Sequence, residues 1–102
     1  MDKPEAPHSV KLDQKASRSV TVSWTPGHDN NSPVNEFMIQ MQEELHLRPS
    51  SWKEVKRVPA EIHHLEISLL PFCRYQFRVA AVNEIGLSKF SQPSELYDTP
   101  HA

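Results

Sequence analysis

The side chains that could carry out chemistry are a single cysteine, Cys73, six histidines and thirteen acidic residues in a chain of 102. Nucleophilic catalysis needs such groups within hydrogen-bonding reach of one another, in a pocket that also offers an oxyanion site. Cys73 lies two residues before Tyr75, where we expect a turn between strands, and no glycine-rich elbow surrounds it. With only two glycines, the chain has neither a GxGxxG loop nor a P-loop. The sequence therefore predicts a protein that is not an enzyme, with no catalytic residues.

The histidines do not show the spacing of metal ligands. His63 and His64 are adjacent, so in a strand they would point to opposite faces. The remaining histidines lie far apart in the sequence, and the chain has no H-x-x-x-H and no C-x-x-C motif. We therefore expect solvated histidines, no metal site and no cofactor.

Two positions are candidates for modification. Cys73 is the only cysteine and cannot form an internal disulfide, so it is a candidate reactive thiol or, alternatively, a small residue in a turn. Asn30 begins the sequon Asn30-Asn31-Ser32 in a polar segment and is a candidate glycosylation site. Pro33 follows the sequon directly and disfavours its use.

Charge and hydropathy exclude two classes of partner. The formal net charge of -2 argues against a nucleic-acid-binding domain, which depends on phosphate contacts. The apolar runs are only a few residues long, so we expect no membrane-spanning helix and no direct membrane contact. A basic patch that could bind a polyanion such as heparin, or protect a sheet edge by charge, would comprise Lys53, Lys56, Arg57, Arg48 and His63 or His64. Glu54 and Glu61 dilute this patch.

Several short segments alternate between apolar and polar residues, which predicts antiparallel strands with one buried face. The clearest are residues 19–24 and 75–81, and residues 37–41 and 65–69 follow the same pattern. Residues 52–58 form a shorter, charged candidate near an edge, and residues 10–12 and 96–99 are weaker terminal candidates. In the last of these, Leu96 and Tyr97 compete for the inward position. A local helix over residues 40–47 is an alternative that Pro49 would cut short.

Nine prolines and seven short strands in about 100 residues predict an all-β, seven-stranded antiparallel β-sandwich. We divide the chain into a linker with an expression start at residues 1–6, one domain at residues 7–100 and a tail at residues 101–102. Prolines stand at both ends and would stiffen short junctions. This favours a module from a tandem array over a solitary domain.

One long motif carries a resemblance to a known family. Residues 69–86 match the pattern L-x-P-x-x-x-Y-x-F-x-V-x-A-x-N-x-x-G, and Trp24 ends the second strand. The chain resembles the fibronectin type III family in these features, over residues 7–100. The resemblance implies an immunoglobulin-like topology, with strands A, B and E in one sheet and C, C′, F and G in the other.

The resemblance also assigns structural roles. Tyr75 corresponds to the tyrosine-corner position, so its hydroxyl should bond to the main chain near residues 69–71. Trp24 should fill the space between the sheets, replacing the disulfide of antibody-type domains. The motif residues expected to hold the fold are Trp24, Leu69, Pro71, Tyr75, Phe77 and Val79. The wider core is expected to add Val20, Val22, Phe37, Ile39, Leu65, Ile67 and Ala81.

A finer resemblance concerns function. Residues 23–34, 57–59, 74–79 and 91–95, together with Trp52, resemble neuronal adhesion receptors of the neurofascin and neuroglian type. In those receptors immunoglobulin domains precede a row of fibronectin type III domains and a membrane anchor. The resemblance implies an extracellular, non-catalytic module of a plasma-membrane protein that acts as a spacer and contacts other cell-surface or matrix proteins. We expect the isolated domain to be a monomer.

Two alternatives remain. Sarcomeric fibronectin type III domains carry W-x-P-P-x-x-D-G-G-S-P, whereas Gly27 and Asn30-Asn31 stand here where proline and glycines would be. An intracellular structural role in a giant muscle protein is therefore the second hypothesis. A ligand-reading receptor domain is the third. The segment Leu87-Ser88-Lys89-Phe90-Ser91 keeps the serines of the cytokine-receptor W-S-x-W-S motif but neither tryptophan, so we expect no stacked arginine–tryptophan ladder.

Overall fold

The computed structural model describes residues 3–28, 33–45, 48–49, 51–71 and 73–99. Within these residues the chain forms strands and no helix, so no helix there could cross a membrane. The strands are β1 (His8–Asp13), β2 (Ser19–Thr25), β3 (Glu36–Leu45), β4 (Arg48–Pro49), β5 (Lys53–Pro59), β6 (His64–Ser68), β7 (Arg74–Val82) and β8 (Tyr97–Asp98). Residues 40–45, for which a local helix was the alternative, belong to the ten-residue strand β3, and residues 46–47 of that alternative lie outside the described residues.

The strands form two antiparallel sheets that pack as a sandwich. The first sheet has the order β1-β2-β6. The second has the order β4-β3-β7-β8, with β5 also paired to β3. The predicted sandwich and the predicted division of its strands are confirmed. The two-residue strand β4 is an addition that the sequence did not indicate.

The core lies between the two sheets, on the faces that strand alternation predicts. In β2 the buried residues are Val20, Val22 and Trp24, and their polar neighbours are half-buried or exposed. In β7 the residues Tyr75 and Phe77 are at most 1% exposed. Leu65 departs from the prediction, because it is half-buried and packs against the edge of the core. Buried apolar side chains that the prediction omitted are Leu12, Met38, Val58, Cys73 and Ala80.

The last strand is short, and its inward residue is now defined. β8 pairs Tyr97 with Tyr75 and Asp98 with Arg74. Tyr97 packs against the core and its hydroxyl donates to the Ala16 carbonyl at 2.7 Å, whereas Leu96 is 55% exposed. The aromatic ring takes the inward position because its hydroxyl can reach a main-chain acceptor at the rim.

The two ends of the described chain lie at opposite ends of β7. Near the N-terminus, the Lys3 side chain reaches the Gly86 region, beyond the end of β7. Near the C-terminus, the Thr99 N–H donates to the Cys73 carbonyl, just before β7 begins. A nine-residue strand spans roughly 27 Å between its first and last residues. The molecule measures 47 × 25 × 18 Å, so the chain enters and leaves an elongated body at its two poles.

Candidate interaction surfaces

The histidines are not brought together. Among the described residues no group of three or more histidine, cysteine or acidic side chains could hold a metal ion. His63 packs edge-on against the Phe37 ring at 5.7 Å, and its Nε2 lies 3.1 Å from the Ala60 carbonyl. His64 is exposed on β6, in the other sheet from β5. The two adjacent histidines therefore lie in different environments.

The candidate thiol of Cys73 lies inside the sandwich, under the C-terminal segment. Cys73 is 5% exposed and is a free cysteine. Its N–H donates to the Thr99 hydroxyl at 3.0 Å, and its carbonyl accepts from the Thr99 N–H at 2.9 Å. A thiol covered in this way must be exposed by local opening before it can react. A reactive role for Cys73 stays a prediction.

The tyrosine corner has the predicted hydrogen bond. The Leu70 N–H donates to the Tyr75 hydroxyl at 2.8 Å. The Tyr75 ring is stacked nearly parallel to the Phe77 ring, with centroids 6.3 Å apart. Burial raises the pKa of the Tyr75 hydroxyl because the phenolate would be poorly solvated there. Leu69 is buried beside this corner, and Pro71 is half-buried in the turn.

Trp24 lies between the sheets, as the resemblance implies. The Trp24 and Phe37 rings meet edge-on with centroids 5.6 Å apart. The indole N–H of Trp24 is buried without a hydrogen-bond partner within the described part of the chain. The ring is therefore held by packing alone. Asn30, the candidate glycosylation site, lies outside the described residues and stays a prediction.

The basic patch predicted around β5 is divided by its own carboxylates. Arg57 bonds to Glu36 at 3.1 Å and to Glu54 at 3.3 Å. The hydrogen bond to Glu54 is the main cause of the raised pKa of Arg57, and Glu36 adds to it. Lys53 and Lys56 are exposed on the same strand. His64 belongs to the opposite sheet, and the ion pairs of Arg57 support charge protection of an edge. Polyanion binding stays a prediction.

An arginine stack that the sequence did not indicate lies on the five-stranded sheet. The Arg78 guanidinium lies between two rings, 4.3 Å from the Trp52 centroid and 4.1 Å from the Phe90 centroid. Its Nε–H donates to the Gln40 side-chain oxygen at 2.8 Å. This stack has one arginine and one tryptophan from outside the motif, so it differs from the receptor ladder that was not expected. Phe90 stands where the receptor motif has its second tryptophan, and Trp52 is supplied from a distant segment.

Three serines attach the segment before β8 to β7. The main-chain N–H groups of Ala81, Val79 and Phe77 each donate to one serine hydroxyl, at 2.8 to 3.0 Å. Each of the same β7 residues also accepts from the N–H of the same serine at 2.7 or 2.8 Å. The serines are Ser88, Ser91 and Ser94. Their period of three matches a polyproline II chain, which has three residues per turn. Strand alternation has a period of two and therefore does not indicate these serines.

Comparison with known families settles what kind of domain this is. The family model described as "Fibronectin type III domain" matches residues 5–97. The chain belongs to the fibronectin type III family. It is a non-catalytic module of that family, similar in sequence to neuronal adhesion molecules along its whole length.

Three relatives show the degree of this similarity. Neurofascin of Gallus gallus is 41% identical over 99% of this chain, and neuronal cell adhesion molecule of Gallus gallus is 41% identical over 98%. Neural cell adhesion molecule L1 of Takifugu rubripes is 39% identical over 97%. The chain spans only 7% to 8% of the length of these relatives.

Two solved structures illustrate the similarity of the fold. Domains A168–A170 of titin match with a TM-score of 0.84 and 29% identity, over 98% of this chain and 33% of that one. The FN1–FN3 domains of chicken CNTN1 match with a TM-score of 0.82 and 28% identity, over 97% of this chain and 34% of that one. The fold is therefore shared by domains of titin and of CNTN1 at similar identity, and fold alone does not assign a function.

Proposed function

We propose that this domain is an extracellular spacer and protein-interaction module of a neuronal cell-adhesion receptor. The observation that carries the proposal is the identity of 39% to 41% to three neuronal adhesion molecules along nearly the whole chain. The titin domains reach 29%. The sequence similarity thus favours the adhesion setting over the sarcomeric one.

The geometry supports a spacer role. The chain ends lie at opposite poles of a body 47 Å long, so neighbouring domains in an array would be held apart rather than side by side. Hydrogen bonds fasten both ends to the sandwich. Glu5 donates its N–H to the His28 carbonyl at 2.9 Å, and Thr99 bonds to Cys73. Force or orientation applied at one pole would therefore pass through the sheets to the other.

Surface labelling of intact cells tests the location that this role requires. An antibody raised against the 102-residue chain is applied to cells that express the full-length protein carrying it, before and after permeabilisation. The proposal predicts equal labelling in both conditions. Labelling that appears only after permeabilisation would support the intracellular alternative and refute the proposal.

A further inference from the structure

On the outer face of the five-stranded sheet, three arginines with described side chains occur in two states, two paired with carboxylates and one not. Arg57 at one end and Arg74 at the other each contact two carboxylates. Those acidic residues are Glu36, Glu54, Glu44 and Asp98. Arg78, between the two ends, has no carboxylate partner among the described residues. The centre of this face therefore keeps an unneutralised positive charge.

The Arg78 guanidinium is held in a fixed orientation. Two aromatic rings stack on it and its Nε–H is occupied by Gln40. Its terminal nitrogens donate to no other described residue, and they are not sealed from solvent. Burial lowers the pKa of Arg78, because the neighbouring rings remove part of its hydration. This guanidinium is already oriented, partly desolvated and unpaired. Binding an anion to it therefore costs less side-chain ordering and less desolvation than binding to a mobile arginine.

We propose that this face docks a protein segment that places one carboxylate on Arg78. The two terminal nitrogens of a guanidinium match the two oxygens of a carboxylate, so the contact can be bidentate. Arginine and tryptophan are also enriched among the residues that dominate protein interfaces. Trp52 and Phe90 supply an apolar rim that excludes water from the contact.

The acidic groups at the two ends of the face indicate which charges a partner segment should carry. In β3, Glu36 and Glu44 lie four residues before and after Gln40, which faces Arg78. Four residues of a strand span roughly 13 Å. Glu54 pairs with Gln40 from β5 but is bound by Arg57, so the face presents a positive centre at Arg78 with acidic groups on both sides along β3. A complementary segment has a carboxylate at its centre and basic groups about 13 Å away in both directions.

This charge pattern favours a protein over a sulfated glycan. A heparin-like chain repeats its negative charge at short intervals, so it would bring sulfates against the acidic groups at both ends of the face. The inference goes beyond the spacer role, because docking on Arg78 requires no particular place in a domain array. It is also separate from the extracellular location that surface labelling tests.

A titration with a designed peptide tests the proposal. The probe is the nonapeptide Lys-Thr-Ser-Thr-Glu-Thr-Ser-Thr-Lys, capped at both ends, and the control peptide has Gln in place of the central Glu. NMR spectra of the labelled 102-residue chain should show shifts at the Arg78 Nε–H and the Trp52 indole N–H. The control peptide should bind about tenfold more weakly, because it cannot form charge-assisted hydrogen bonds.

One substitution should remove the site without disturbing the stack. Gln40→Glu places a carboxylate on the Arg78 guanidinium from within the chain, so the fold keeps its contact while the positive charge is neutralised. We expect an unchanged or higher melting temperature and about tenfold weaker peptide binding. Gln14→Glu is the control. It adds the same charge just after β1, which belongs to the other sheet, and should leave peptide binding unchanged.

Three results would overturn the inference. The first is equal binding of the Glu and Gln peptides. The second is unaltered peptide binding by the Gln40→Glu variant with its fold intact. The third is a heparin fragment that shifts the Arg78 Nε–H while the nonapeptide does not, which would identify a glycan site instead.

Discussion

The hydroxyl of Tyr75 and the main-chain nitrogen of Leu70 lie 2.8 Å apart, and this bond closes the connection between β6 and β7. Leu70 itself is 61% exposed, so its side chain contributes little to holding the turn. The tyrosine therefore does two things. Its ring fills the end of the core, and its polar tip satisfies a main-chain donor in the turn that leads from one sheet to the other.

Removing that hydroxyl should weaken the domain. Tyr75→Phe keeps the ring but leaves the Leu70 N–H without its acceptor. We expect the free energy of unfolding to fall by about 1–3 kcal/mol, measured by urea denaturation. Tyr97→Phe is the comparison variant, because its hydroxyl bond to Ala16 is more exposed and should cost less. Equal losses of unfolding free energy from the two variants would show that the Tyr75 bond stabilises the domain no more than the exposed Tyr97 bond does.

The same hydroxyl should make stability depend on pH in the alkaline range. The pKa of Tyr75 is raised above its ordinary value of 10.0, mainly by burial. The folded state therefore holds this proton at pH values where the unfolded state has released it. The stabilisation is fully present below pH 10 and is lost as pH rises above it. The free energy of unfolding, measured from pH 8 to pH 11, should fall more steeply for the natural chain than for Tyr75→Phe. Identical slopes would exclude this effect.

Each serine contact on β7 should contribute measurably to the free energy of unfolding. Ser91→Ala removes the acceptor for the buried Val79 N–H, although the main-chain bond from residue 91 can remain. We expect a loss of about 1–3 kcal/mol in unfolding free energy. Hydrogen exchange of the Val79 amide should quicken relative to the Val20 amide in β2. Ser68→Ala, at an exposed position on β6, is the control and should change stability by less than about 0.5 kcal/mol.

The N-terminal segment depends on the absence of a side chain at position 27. A Cβ on Gly27 would lie 2.5 Å from the Ala6 carbonyl oxygen, which is main chain and cannot easily move. Gly27→Ala should detach the segment and expose the Glu5 amide to rapid hydrogen exchange. Gly86→Ala would instead meet the end of the Lys3 side chain at 3.3 Å, with strain from its φ of +149°. It should destabilise by about 1–3 kcal/mol yet preserve protection at Glu5.

Much of the sandwich could be predicted because its signals are local. The alternation in β2 and β7 and the spacing of the Tyr75 motif each lie within one short segment. The Arg78 stack could not be found in that way. It joins Trp52, Arg78 and Phe90 from three separate segments, and only the pairing of β3 with β7 brings Gln40 beneath the guanidinium.

The burial of two residues on the outer face of the five-stranded sheet could not be predicted from the sequence either. Met38 and Ala80 pair across β3 and β7 on the side away from the core, yet they are only 4% and 0% exposed. Alternation assigns such positions to solvent, because it takes no account of side chains that cover a sheet from outside. The candidate interaction face is therefore a product of tertiary packing and could not be inferred from periodicity.

The separation of adhering membranes tests the spacer role most directly. Cells that express the full-length protein are compared with cells in which this domain is deleted, and the distance between apposed membranes is measured by electron tomography. The spacer role predicts a smaller distance after deletion, by at most the 47 Å length of the domain in each protein. An unchanged distance in adhering cells would contradict it.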